Sequence, residues 1–223
     1  MRTAVLVHGA WHGGWCWDAL VPELEARGVR AVAVDLPLTT LADDADTAAA
    51  AVSEAAAAGG EVVLVGHSYG GAVITEAGDR GGVTRLVYVA ALVPDHDDAG
   101  LGLAGGGITS TLSQAVRAGD DGTISVAEEA RVAAFYADCD PAAATESASR
   151  LRPMQAAPFT ATVTATAWRT VPSTYVVCTR DQAMDAETQR HFAARCTDSV
   201  TFDSGHSPFL SMPVALAEVI ATA

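Results

Sequence analysis

Six short runs rich in β-branched residues punctuate the chain: Thr3–Val7, Val29–Val34, Val62–Val65, Arg85–Ala90, Thr174–Cys178 and Ser199–Phe202. In several of them nearly every position is apolar, with no polar face left for water. Strands of that kind are buried on both sides, as in a parallel sheet. Helical segments fall between them, at about Trp17–Arg27, Leu41–Ala58, Gly70–Asp79, Ala186–Ala194 and Val214–Ala221. The Ala48–Ala58 tract has high helix propensity, and Gly59-Gly60 ends it. Strand alternating with helix at this spacing predicts an α/β fold of about six mostly parallel strands joined by right-handed crossovers.

The rhythm breaks between Pro94 and Pro172. This stretch holds a glycine-rich segment (Gly100–Gly107), an acidic turn (Asp120-Asp121-Gly122) and a helical pattern near Val126–Ala137. It then passes through Asp138-Cys139-Asp140-Pro141 into Thr/Ala-rich sequence with no clear strand period. Long excursions from a compact domain are usually functional. The chain therefore divides into a core, residues 1–94 and 172–223, and a cap or lid, residues 95–171, inserted after the fourth strand. No internal repeat or heptad pattern is visible.

Charge narrows the partners. Among 223 residues, 13 are Lys or Arg and 27 are Asp or Glu, a formal net charge of −14. Nucleic acid is an unfavourable partner, because binding it needs cations that displace counterions, and an anionic membrane surface is disfavoured for the same reason. All the basic residues are arginine. With no lysine there is no Schiff base, no phosphate-loop lysine and no lysine general base. No apolar stretch approaches the roughly 20 residues that span a bilayer. Met1-Arg2-Thr3 runs straight into the first strand without a signal peptide, and Cys16, Cys139, Cys178 and Cys196 form no Cys-x-x-Cys pair. These features predict reduced thiols in a cytoplasmic protein without a metal or other cofactor.

Chemistry concentrates at the ends of the predicted strands. Gly66-His67-Ser68-Tyr69-Gly70-Gly71 lies between a strand and a helix. A Gly-x-Ser-x-Gly there is a nucleophile elbow, a turn so tight that the flanking positions must lack side chains while Ser68 is raised above the sheet. After the first strand comes His8-Gly9-Ala10-Trp11-His12-Gly13-Gly14-Trp15-Cys16-Trp17. A glycine-rich loop there can aim backbone N–H groups at a developing oxyanion, with Ala10 supplying one donor and Tyr69, after the nucleophile, the other. His8 and His12 stand four apart, but such a metal pair needs a helix and this loop is broken by glycine.

Gly205-His206-Ser207-Pro208 follows the last strand, on the rim where α/β sheets place their sites. Neutral imidazole is the natural base for a serine hydroxyl, so His206 is the candidate. His67 adjoins Ser68 but is expected to point away from it. His191 falls in a helix and His96 in an acidic surface run. Asp181, after the fifth strand, is the candidate acid. It gives the chain order serine, acid, histidine, and its competitors are Asp95 and Asp203. Trp11, His12, Leu92, Trp168, Met184 and Phe209 are the candidate pocket walls.

Taken together, the His8–Trp17 loop, the Gly66–Gly71 elbow, Asp181 and Gly205-His206 resemble the α/β-hydrolase superfamily. The nearest branch is the small esterases related to plant methyl-ester esterases and hydroxynitrile lyases, which has many bacterial members. The resemblance covers nearly the whole chain and is weakest between Asp95 and Trp168, where the family carries its cap. It implies an α/β-hydrolase fold without the family's two leading strands, with Ser68 as nucleophile, His206 as base, Asp181 as its partner, and Ala10 and Tyr69 as the oxyanion donors. The lyase members carry a lysine directly after the histidine and a threonine in the first loop. Here those positions are Ser207 and Gly9, and both differences argue for ester hydrolysis. The missing lysine and the abundant alanine and arginine suggest a GC-rich bacterial genome.

The reading that follows is a cofactor-independent serine hydrolase cleaving a small, fairly apolar carboxylic ester through an acyl-enzyme on Ser68. Two rivals keep the fold. One is a lyase in which His206 acts as base without a covalent intermediate, and the other is a non-catalytic ligand receptor. An adduct at Ser68 separates the first from the hydrolase, and turnover separates the second.

Overall fold

A computed structural model describes residues 1–102 and 107–223 of the chain. It begins with β1 (Arg2–Val7), α1 (Val21–Glu25), β2 (Val29–Val34), α2 (Leu41–Ala57), β3 (Glu61–His67), α3 (Gly70–Ala77) and β4 (Arg85–Val89). After β4 come α4 (Ser110–Ser113), β5 (Val116–Ala118), β6 (Thr123–Val126), α5 (Arg131–Phe135), α6 (Pro141–Ser149) and β7 (Met154–Gln155). The chain closes with β8 (Ser173–Cys178), α7 (Ala186–Ala193), β9 (Asp198–Phe202), α8 (Pro208–Ser211) and α9 (Pro213–Thr222).

Six strands form one parallel sheet in the order β2-β1-β3-β4-β8-β9. Burial on both faces explains their unbroken apolar sequences. Val5, Val7, Val62, Leu64, Tyr88 and Tyr175 face one core, while Ala4, Leu6, Val63, Val65, Val87 and Val176 face the other. Adjacent residues thus alternate between two hydrophobic layers, as the two-residue period of a strand requires. The strand order reverses between β1 and β3. The crevice beyond their carboxyl ends is where open α/β sheets hold ligands, and the His8–Trp17 loop and the serine elbow meet there.

The helix boundaries follow local chemistry. Thr40 caps α2 by accepting the Asp43 N–H, and Asp43 and Asp44 sit in its positive first turn. The helix expected over Trp17–Arg27 is shorter. Gly14–Trp17 is a 3-10 turn, and α1 starts only beside Pro22, which is suited to a first turn.

The stretch after β4 differs most from expectation. Its strands β5, β6 and β7 form a small antiparallel sheet where no strand period was read. The helix expected over Val126–Ala137 shrinks to α5, because Val126 completes β6, which pairs with β5. The acidic turn is in place: Asp121 Oδ1 accepts the Thr123 N–H and Gly122 takes a positive φ. Residues 103–106 of the glycine-rich segment lie outside the described residues. Several bonds tie this stretch to the core. Trp11 O accepts the Arg152 N–H, Leu38 O accepts the Gln155 N–H, and the Glu76 carboxylate accepts from the amides of Thr164 and Ala165. Among the described residues, no helix is long and apolar enough to cross a membrane, and the four cysteines are unpaired.

Candidate active site

The elbow is built by close backbone approach. Ser68 takes φ +53°, a left-handed conformation that costs a non-glycine residue of order 1–3 kcal/mol. A Cβ on Gly70 would lie 2.6 Å from the carbonyl oxygens of Val7 and His8, and one on Gly66 would lie 2.6 Å from Gly70 O. Glycine at both positions therefore lets α3 start directly against the end of β1. The strain is held from β4: Ser68 N–H donates to Val89 O at 3.1 Å, and Ser68 O accepts the Leu92 N–H at 3.0 Å.

Ser68 opens onto a small cavity of about 30 Å³ that it shares with Ala10, Trp11, Tyr69, Leu92, Ile108, Leu112, Phe159 and Met184. Apart from Ser68 itself the lining is apolar. Tyr69 is the residue at the start of α3, so its N–H belongs to the amides that an α-helix leaves without an internal partner. Ala10 lies across from it in the first loop. A second apolar cavity adjoins the first through shared walls: Trp11, Ile108, Leu112 and Phe159 line both. Trp11 is fixed between them by its indole N–H, which donates to Ile124 O at 3.1 Å, and by a positive φ of 63°.

His206 is buried, with 2% of its surface exposed, and Asp181 lies beside it. His206 Nδ1 donates to Asp181 Oδ2 at 2.7 Å. That bond fixes the proton on Nδ1 and leaves Nε2 as the basic nitrogen. Asp181 is itself held rigidly. Its Oδ1 accepts the N–H groups of Ala183 (2.7 Å) and Met184 (3.0 Å), and its Oδ2 accepts Gln189 Nε2 at 2.8 Å. Asp181 follows β8 and His206 follows β9, its neighbour in the sheet. The competing acids are elsewhere. Asp203 is exposed and pairs with Arg180 at 2.9 Å. Asp95 pairs with Arg169 and receives the His96 N–H at 2.8 Å.

His67 turns away from Ser68, as expected, and packs against His206. Its Nε2 donates to the backbone oxygen of His206 at 2.9 Å, and the two rings stand 4.6 Å apart. Burial pushes the His67 imidazole well below the usual histidine range, which keeps it neutral in this role. The sequence gives no hint of this contact, which spans 139 positions. Gln189 and Asp138 are further supports that sequence reading missed. The first is a polar residue buried on α7, and the second, in the inserted stretch, accepts the Gly205 N–H at 2.7 Å.

Of the six candidate pocket walls, Trp11, Leu92 and Met184 line the cavity at Ser68. The other three are placed by different partners. His12 is buried in the first loop, where Nδ1 donates to Ala10 O at 2.7 Å and Nε2 accepts from Tyr136 Oη at 2.8 Å. Desolvation brings its pKa down to about 3. Phe209 packs beneath, against Trp17 and His67. Trp168 donates to Pro94 O at 2.9 Å and lies under the Arg169 guanidinium. Ile108, Leu112 and Phe159 supply the walls instead, from the segment whose pattern was least readable. Among the described residues, no group of three or more His, Cys, Asp or Glu side chains is arranged to hold a metal ion.

The model of the alpha/beta hydrolase family matches residues 4–219. The chain belongs to that family. An alpha/beta hydrolase, nvfD, of Aspergillus novofumigatus is 30% identical over 241 residues, covering 98% of this chain and 95% of that one. A carbendazim hydrolyzing esterase of Nocardioides is 38% identical over 113 residues, covering 44% of this chain and 46% of its own length. Among solved structures, the pyrethroid hydrolase PytH superposes with a TM-score of 0.81 at 27% identity, covering 100% of this chain and 97% of that one.

Proposed function

We propose that this alpha/beta hydrolase cleaves a small, apolar carboxylic ester through an acyl-enzyme on Ser68. The observation that carries the reading is the buried Asp181–His206 pair, joined at 2.7 Å, beside an elbow that presents Ser68 in strained backbone to a cavity shared with Ala10 and Tyr69. In this reading Asp181 holds His206 in the tautomer whose Nε2 takes the Ser68 proton. The serine oxygen attacks the ester carbonyl, and the N–H groups of Ala10 and Tyr69 receive the negative charge. The protonated imidazole then gives its proton to the departing alcohol. Water, activated by the same imidazole, releases the acid and restores Ser68.

The esterases and hydrolases among its relatives support an ester substrate. The apolar lining supports an uncharged acyl group, seated against Leu92, Met184 and Phe159. Residues 95–171 act as the cap, since Ile108, Leu112 and Phe159 roof the cavity. A lyase reading is disfavoured at Gly9. A Cβ there would fall 2.9 Å from the Ser68 Cβ and 2.9 Å from His67 Nδ1, leaving no room for the threonine of the lyases.

The test is covalent. Purified protein treated with a serine-directed phosphonate should gain one adduct, mapped by mass spectrometry to the peptide containing Ser68, and lose turnover of p-nitrophenyl butyrate in proportion. Full turnover after complete labelling of Ser68 would exclude the acyl-enzyme.

A further inference from the structure

The turn that follows α5 reaches both loops of the site. Tyr136 donates its hydroxyl proton to His12 Nε2 at 2.8 Å, and His12 in turn holds Ala10 O. Two residues on, Asp138 Oδ2 accepts the backbone N–H of Gly205 at 2.7 Å, immediately before His206. The Phe135 ring, just before Tyr136, sits 5.5 Å from the His12 ring and 5.7 Å from the His206 ring. The Asp138 side chain is 8% exposed, and its other neighbours are the Cys139 thiol at 3.8 Å and the Arg180 guanidinium at 4.0 Å.

We infer that Asp138 is a positioning residue: it fixes the loop that carries His206 by holding the Gly205 amide. The inference rests on His206 being the base. Three observations support it. First, the Ser204–Gly205 peptide whose N–H it holds lies one residue before His206, so a shift there moves the ring. Second, a Cβ on residue 205 would lie 2.5 Å from Asp138 Oδ1, so the carboxylate keeps this close seat on the loop only because residue 205 is glycine. Third, the same peptide is held at its other end by the Arg180 N–H on Ser204 O at 2.9 Å, while the Arg180 guanidinium, 4.0 Å from Asp138, donates to Asp203 O at 2.6 Å. Asp138 alone, among the described residues, reaches this loop with a side-chain bond from residues 95–171, so the seating of that segment is coupled to the geometry of the base.

The experiment compares Asp138→Ala with Asp138→Asn, using steady-state hydrolysis of p-nitrophenyl butyrate normalised to sites titrated with a phosphonate. Asparagine keeps an oxygen that can accept the Gly205 N–H, and alanine does not. Misplacing a catalytic group by about 1 Å can cost on the order of 10²-fold. Asp138→Ala should therefore lower kcat on the order of 10- to 100-fold with KM within about twofold, and Asp138→Asn should return kcat to within about threefold of the parent. The downfield Nδ1–H resonance of His206 should persist in the parent and Asp138→Asn and broaden in Asp138→Ala. An Asp138→Ala enzyme with kcat within about threefold of the parent per titrated site, or an asparagine variant as poor as alanine, overturns the inference. If Asp138→Ala does not fold, Gly205→Ala displaces the same carboxylate and must show the same loss of kcat. His206→Ala, run alongside, tests the underlying reading separately. It should abolish turnover and the resonance, and retained turnover there refutes the base itself.

Discussion

Gln189 donates its side-chain N–H to the same Asp181 oxygen that holds His206, at 2.8 Å beside the 2.7 Å bond from the imidazole. With the two backbone amides on Oδ1, four donors converge on one buried carboxylate. Such a group stays where it is put, and the imidazole inherits its orientation. Gln189→Leu removes the side-chain donor and also strands the Cys178 N–H, which Gln189 Oε1 accepts at 2.8 Å. Leaving a buried donor unsatisfied costs about 1–3 kcal/mol. The variant should lose stability on that scale in urea titration, and kcat/KM should fall about tenfold through the loosened acid.

The acid itself should be decisive. Asp181→Asn should cost on the order of 10³–10⁴ in kcat, because an amide favours the wrong imidazole tautomer. Asp203→Asn and Asp95→Asn should each cost less than about tenfold, since their partners are Arg180 and Arg169. A crippled Asp95→Asn beside a near-normal Asp181→Asn would move the acid to the fourth strand.

Ser68→Ala should abolish hydrolysis and change stability by less than about 1 kcal/mol, because the hydroxyl faces the cavity. More than a few percent of residual turnover from pure protein would contradict the nucleophile.

Acid should destabilise the fold through His12. Its pKa is about 3 when buried and 6.5 when free, so between those values the unfolded chain binds the extra proton. Stability contributed by the neutral ring is complete above pH 6.5 and falls as the pH drops toward about 3. The slope is about 1.4 kcal/mol per pH unit for one proton. His67, also pushed low by burial, adds in the same direction, while Asp44, raised by burial, works against it at the acid end. Urea titrations at pH 7 and pH 5 check this, and His12→Gln should have a flatter dependence than the parent.

Substrate length should be set by Phe159, which walls both apolar cavities. The parent should prefer short acyl esters. Phe159→Ala should raise the octanoate-to-acetate ratio of kcat/KM by about tenfold or more, since each buried methylene is worth about 1–3 kcal/mol. An unchanged ratio would mean that the acyl chain leaves by another route.

The six sheet strands were legible because burial on both faces writes itself as unbroken apolar runs, and the elbow because its backbone contacts admit only glycine. The pairing of Asp181 with His206 was legible from their places at the ends of neighbouring strands. The segment after β4 was harder for a physical reason. β7 is two residues long and exists only because Met154 and Gln155 pair with β6, a tertiary event with no local signature. The four residues of β6 do alternate, Thr123 and Ser125 against Ile124 and Val126, but a pattern that short is easily lost beside a helix-forming Glu128-Glu129-Ala130-Arg131 sequence. The sequence reading passed over α6, although Asp140-Pro141 starts it, with the Asp140 carboxylate accepting from Ala142 and Ala143. Trp168 and Phe209 were apolar and near strand ends, yet they pack elsewhere. Apolarity locates a core without saying which side of it faces a substrate.

His206 stands just beyond β9, the last strand of the sheet, which pairs with β8 and with no other described strand. Four of its five residues are exposed or half-exposed. Edges of this kind open locally at lower free energy than interior strands such as β3. Mild urea should therefore release the β9 edge and silence the enzyme while the β1–β3–β4 centre keeps its circular dichroism. Amide exchange at Val200 and Phe202 should run ahead of that at Val63 and Val65 and track the loss of turnover. That order of events would tie turnover in this chain to the stability of its outermost strand.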